Sequence, residues 1–149
     1  MATITFKGLD EYRKELEQIL DRVPKMVNAS LYDGADVLAD AVQSEISGLN
    51  ELDAVQKKGL HDGLGVAHFW TKGGTTMTKI GFDGYNARKT KRWPKGQPNA
   101  MIARSLIRGT SWLRANRFTA RAAKKARQKC IAAIQARFDE ELEKITKQY

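Results

Sequence analysis

A chain of 149 residues with net charge +9 and 42% hydrophobic content is long enough for one domain with a real core, roughly two-thirds of its unfolded surface being removed on folding. Its apolar runs are only a few residues long, which excludes a membrane-spanning helix. A lone cysteine, Cys130, excludes an internal disulfide and is compatible with a reducing compartment. The opening "MATITFKG" lacks an apolar signal region, so the expectation is a soluble protein that stays in the cytoplasm where it is made.

The charge is unevenly distributed. Residues 1–71 carry 7 basic and 12 acidic groups, residues 72–129 carry 16 basic groups against Asp83 alone, and residues 130–149 carry 3 basic and 4 acidic groups. The middle block of +15 between acidic flanks suits a nucleic acid, an acidic protein partner, or self-assembly in which the acidic part of one copy meets the basic part of the next.

In chain order, Thr3-Ile4-Thr5-Phe6-Lys7 alternates with period two and predicts a short strand ending at Gly8. Asp10 is placed to cap a helix bearing Tyr12, Leu16, Ile19, Leu20 and Val23. Pro24 breaks or kinks that helix, or opens a second one over about residues 25–47, whose stripe is Val27, Leu31, Leu38, Val42 and Ile46. Within it, Gly34 weakens the helix and permits close approach of a neighbour. Residues 48–64 read as a connector with at most a helical turn. A β-hairpin follows. Val66, His68 and Trp70 lie on its first arm, Lys72-Gly73-Gly74 forms the turn, and Met77, Lys79 or Thr78, Ile80 and Phe82 supply the second arm. Residues 83–99, "DGYNARKTKRWPKGQPN", read as a long, basic, flexible surface loop. Asn99 is placed to cap a short helix carrying Met101, Ile102, Leu106 and Ile107 that ends at Gly109-Thr110. Asn116 is placed to cap a long last helix reaching about Lys147. Its stripe runs through Phe118, Ala122, Ala126, Cys130, Ile134, Phe138, Leu142 and Ile145.

Groups for catalysis are sparse. His61 and His68 in "HDGLGVAH" match no zinc spacing. Cys130 falls on an apolar stripe, where a thiol acts as a small hydrophobe. "GLHDGLG" and "KGGTT" lack the Gly-Lys-Ser/Thr ending of a phosphate loop and read as turn glycines. Glu140 and Glu141 have no apolar pocket to raise a pKa. The expectation is a non-enzymatic protein with no cofactor, no metal and no small-molecule substrate. The candidate partner-contact residues are Arg88, Lys89, Lys91, Arg92, Trp93 and Lys95 of the loop, Arg108 and Arg114 around Gly109-Thr110, and Arg121, Lys124 and Lys125 of the last helix. In the loop, cations around a tryptophan suit a phosphate backbone with a stacked base, an acidic and partly apolar protein groove, or merely a solvated surface. Trp70 and Trp112 read as core or subunit-contact residues.

Two stretches in order, "ITFKGLDEYRKELEQIL" and "NAMIARSLIRGTSWLRANRFTARAAKKAR", resemble the head–tail joining, or tail-completion, proteins of the neck of long-tailed bacteriophages and prophages. Gly109-Thr110, with Phe118 opening the last helix, carries the second half of the likeness. The resemblance implies an α+β domain, with a small antiparallel sheet of about three or four strands packed by two N-terminal helices and a long C-terminal helix. It also implies a structural, ring-forming component, hexameric in the family's pattern, in contact with neck or connector and tail-tube proteins. The implied locations are the host bacterial cytoplasm during assembly and the head–tail junction of the virion. Cations facing the lumen of such a ring would make non-specific contact with passing DNA. The alternative is a basic nucleic-acid-binding module.

Overall fold

A computed structural model describes residues 8–148; the strand expected at residues 3–7 lies outside them. The described residues form four helices and four short strands: α1 (Leu9–Ser47), α2 (Ala54–Gly63), β1 (Leu64–Val66), β2 (Trp70–Lys72), β3 (Thr75–Met77), β4 (Ile80–Phe82), α3 (Asn99–Arg108) and α4 (Phe118–Thr146). The class is α+β with a long C-terminal helix.

The first two expected helices are one. Gly8, at φ 103°, turns the chain into α1, and Asp10 and Glu11 then occupy the first turn, where carboxylates favour the positive end of the helix dipole. Asp10 is therefore inside the helix, not its cap. Pro24 also lies inside, exposed to solvent. Its missing N–H costs one helical hydrogen bond, yet the apolar stripe stays in phase across it, from Val23 to Met26 and Ser30, so packing carries the helix through.

Residues 54–63, expected to be mostly connector, are a helix fixed by a capping box. Gln56 N–H donates to Asp53 Oδ1 at 2.8 Å and Asp53 N–H donates to Gln56 Oε1 at 3.4 Å. Gly59 and Gly63 are consequently helical and one turn apart, not turn residues. A Cβ on Gly59 would sit 2.4 Å from Asn86 Cβ, and one on Gly63 would sit 2.2 Å from the Asp83 carbonyl. Their role is to let the following loop lie directly on α2.

The hairpin is divided into two antiparallel ladders, β1–β4 and β2–β3, instead of one sheet. Val66 pairs with Ile80 and Trp70 with Met77, which leaves three residues between the ladders on the first arm and two on the second. That one-residue excess is a bulge, and it splits the ladder. Gly73 and Gly74, at φ 57° and 76°, close the two-residue turn as expected.

The core lies where the C-terminal end of α1, α2, α3 and the start of α4 meet. Ile46, Leu49, Leu60, Leu106 and Phe118 are fully buried there, with the Phe82 ring 6.1 Å from that of Phe118. From this head α1 and α4 run antiparallel as a two-helix arm. Glu45 pairs with Arg121 and Lys125 near the head, Asp33 with Arg137 midway, and Arg22 donates to Gln148 near the end of α4. At Gly34 the two helices approach closely: a Cβ there would lie 2.5 Å from Ile134 Cγ1 and 3.3 Å from Cys130 Sγ.

Two expected caps differ. Asn99 is the first residue of α3, and its buried carboxamide donates to the Asp83 carbonyl at 2.8 Å, fastening the loop base. Asn116 precedes α4 without capping it. Its carboxamide donates to Glu51 at 2.8 Å, which is the main reason the Glu51 carboxyl sits below its ordinary pKa.

Candidate functional site

Three surfaces hold the residues singled out from sequence. The first is the loop over residues 83–99. It is pinned at its base by the Tyr85–Pro98 bridge and by Asn86 N–H donating to Gln97 O at 2.9 Å. Gly96, at φ 117°, permits this closure, because a Cβ there would meet the Asn86 carbonyl at 2.1 Å. At the tip, Thr90 and Trp93 exchange backbone hydrogen bonds of 3.0 and 3.1 Å. Arg88 is paired with Asp53, tying the loop to the cap of α2. Arg92 lies over the half-buried Trp93 ring at 5.7 Å. Lys89 and Lys91 are exposed. Tyr85, Trp93, Pro94, Lys95 and Gly96 line a shallow hollow of about 390 Å³. The loop thus collects Arg88, Lys89, Lys91, Arg92, Trp93 and Lys95, but two of its cations already have partners.

The second surface is the turn between α3 and α4. Arg108 closes α3, where a cation favours the negative end of the helix dipole. Gly109, at φ 75°, then reverses the chain so tightly that a Cβ would meet Ala115 N at 2.8 Å. Thr110 N–H donates to Leu113 O at 2.8 Å, and Leu113 N–H to Thr110 Oγ1 at 3.1 Å. This turn lifts Trp112 into solvent. It is 87% exposed, so it is no core residue, and Arg114 beside it is exposed as well. Trp70 is also at the surface, with Lys79 5.4 Å from its ring centre.

The third surface is α4. Arg121 and Lys125 both bind Glu45 of α1, at 3.0 and 2.6 Å. These hydrogen bonds, that of Lys125 foremost, hold the Glu45 carboxyl below its ordinary range. Part of the basic face is therefore answered within the chain. Lys124 is not: it has no ion pair among the described residues, and with Arg127 it rims a groove floored by Leu38, Ala123, Cys130 and Ile131.

The groups weighed for chemistry do not converge. His61 meets Ser47 Oγ at 3.3 Å, while His68 is exposed on the bulge. Glu140 and Glu141 are both paired with Lys144, and Glu141 also with Arg137. The Lys144 hydrogen bond holds Glu140 low, the reverse of what a general acid needs. Among the described residues no group of three His, Cys, Asp or Glu side chains is placed to hold a metal ion, and no helix is long and apolar enough to cross a membrane.

Sequence reasoning missed one surface. Residues 9–20 of α1 extend past the end of α4, and Leu9, Tyr12, Leu16 and Leu20 stay exposed there. Their helical spacing reads as core, and only the lengths and register of the two long helices reveal the overhang.

No family model, curated protein or solved structure matches the chain.

Proposed function

We propose that this chain is a structural subunit of the head–tail junction of a long-tailed bacteriophage or prophage, assembling with its own copies and with neck and tail-tube proteins. The observation that carries this reading is the placement of large apolar side chains in solvent at opposite ends of an elongated molecule. Leu9, Tyr12, Leu16 and Leu20 are uncovered at the tip of the arm, and Trp112 is uncovered beyond the head. Such residues, next to strongly charged flanks, suit protein–protein contacts. The acidic tip and the basic middle segment are of opposite sign, as contacts between copies need. The resemblance of residues 4–20 and 99–127 to tail-completion proteins supplies the biological setting.

Electron microscopy of lysates from a phage or prophage lacking this chain tests the reading. It predicts filled heads beside unjoined tails. Complete, infectious tailed particles would refute it.

A nucleic-acid-binding module is the second reading, favoured by the exposed Lys89 and Lys91 on the loop tip. It predicts affinity for duplex DNA that falls by about 0.9 log units per log unit of salt for each phosphate neutralised. No retention of DNA at low salt would dismiss it.

A further inference from the structure

The uncovered tip of α1 and the groove on α4 are matched surfaces on one molecule. We propose that the α1 tip of one copy seats in the α4 groove of the next, a contact that rests on the assembly reading above and gives it a specific interface.

The tip continues the stripe that packs α1 on α4. Leu9, Tyr12, Leu16, Ile19, Val23, Met26 and Ser30 recur at alternating steps of three and four. Met26 and Ser30 are buried. Arg22 donates to Gln148 just past the end of α4, and on its N-terminal side Leu9, Tyr12 and Leu16 of the same stripe stay exposed, with Ile19 half-buried, over about 18 Å at 1.5 Å per residue. Among the described residues, this helix face thus runs past the helical neighbour that packs on it.

The groove offers what the tip lacks. Its floor is apolar and it has a volume of about 510 Å³. Ile131, 49% exposed, leaves a large aliphatic side chain without a cover. Charge sets the pairing. Residues 9–21 carry five acidic and two basic groups, a net of −3. Glu11 and Glu15 are one turn apart, and neither has an ion pair among the described residues. Lys124 and Arg127 on the groove rim are likewise one turn apart and without an ion pair among the described residues. Like charges at such spacing repel within a helix. Each pair therefore burdens the free subunit, and bringing the two together relieves both.

A second copy is the occupant these features select. Nucleic acid would satisfy the two cations and leave the apolar floor open. Pairing two tips would set acids against acids. Since tip and groove are different patches, the contact is heterologous, and repetition closes a ring or extends a filament.

Cys130 on the groove floor is the only thiol in the chain, which makes the contact directly testable. Leu16→Cys is introduced into the full chain, the protein is mildly oxidised, and products are separated without reductant. The expected result is a ladder extending beyond dimers, because each copy joins one neighbour through its tip and another through its groove. Adding Cys130→Ser should remove the ladder. Lys124→Glu with Arg127→Glu should also remove it, and adding Glu11→Lys with Glu15→Lys should restore it. Dimers alone that survive Cys130→Ser would mean tip-to-tip pairing and overturn the proposal. Absence of cross-links while the wild-type chain sediments as an oligomer would overturn this contact and leave the assembly reading standing. A monomer whose introduced thiol resists a thiol reagent would show the tip to be covered within its own chain, which also overturns it. A monomer whose introduced thiol reacts freely would overturn this contact, and the particle phenotype described above then decides the assembly reading separately.

Discussion

Gly34 is where the arm can be tested most sharply. An added Cβ would lie 2.5 Å from Ile134 Cγ1 and 2.8 Å from Ile134 Cδ1. Carbon atoms rest at about 3.5–4.0 Å, so Gly34→Ala requires the two helices to part by about 1 Å at that point, or Ile134 to leave its rotamer. The second route is narrow because a β-branched side chain in a helix has one strongly preferred χ1. Overpacking of this kind costs about 1–3 kcal/mol. Alanine returns about 1 kcal/mol through its better helix propensity, so the net expected loss is about 0–2 kcal/mol. The decisive quantity is the coupling. In an Ile134→Ala background the obstructing atoms are gone, and Gly34→Ala should then stabilise by about 1 kcal/mol. Urea unfolding of the four proteins in the cycle should therefore give a coupling of about 1–3 kcal/mol. Gly34→Ala that stabilises equally in both backgrounds would show that the helices are not in close contact there, and the antiparallel arm would be wrong.

Three other outcomes follow from the same contacts. Glu45 is held below its ordinary pKa by Lys125 and Arg121, so its contribution is complete above the unfolded glutamate value and is lost as pH falls through the lower folded value. Glu45→Gln should therefore lower the melting temperature at neutral pH and reduce the dependence of stability on pH on the acid side; a parallel loss at every pH would contradict this. Asp53→Ala removes both the cap of α2 and the partner of Arg88, and thermal unfolding should report a loss of about 1–2 kcal/mol, against no change if the capping box is not formed. Pro24→Ala should raise stability, by up to about 3 kcal/mol, by restoring a backbone donor inside a continuous helix. A destabilised variant, measured by urea unfolding, would mean instead that Pro24 separates two helices.

Much of this architecture can be read from local pattern. The long stripe from Phe118 to Ile145 predicts α4, the Gly73-Gly74 pair predicts the hairpin turn, and Gly34 allows the close helix contact without requiring it. The failures share a cause: local signals are ambiguous until tertiary partners are known. Pro24 ends most helices, but a stripe in phase on both sides overrides it. Asp53-x-x-Gln56 is a capping-box pattern within a connector whose glycines suggest turns, and those glycines prove to be sites of close approach. Asn99 and Asn116 carry the chemistry of caps yet spend it on distant partners, Asp83 and Glu51. At the surface, sequence locates the cations but not their company. Arg88, Arg121 and Lys125 are bound to acids of the same chain, whereas Lys124 is not. Leu9, Tyr12, Leu16 and Leu20 look like core because their spacing records a helix face; whether anything covers that face depends on where α4 stops.

The most direct measurement of the assembly role is reconstitution. Purified chain is added to an extract in which heads and tails accumulate separately for lack of it, and joined, infectious particles are counted. Titratable recovery of such particles, with the added protein located at the junction by electron microscopy, is the predicted result. Extracts that join heads to tails equally well without the added protein, or that never do so with it, would contradict a structural role at that junction.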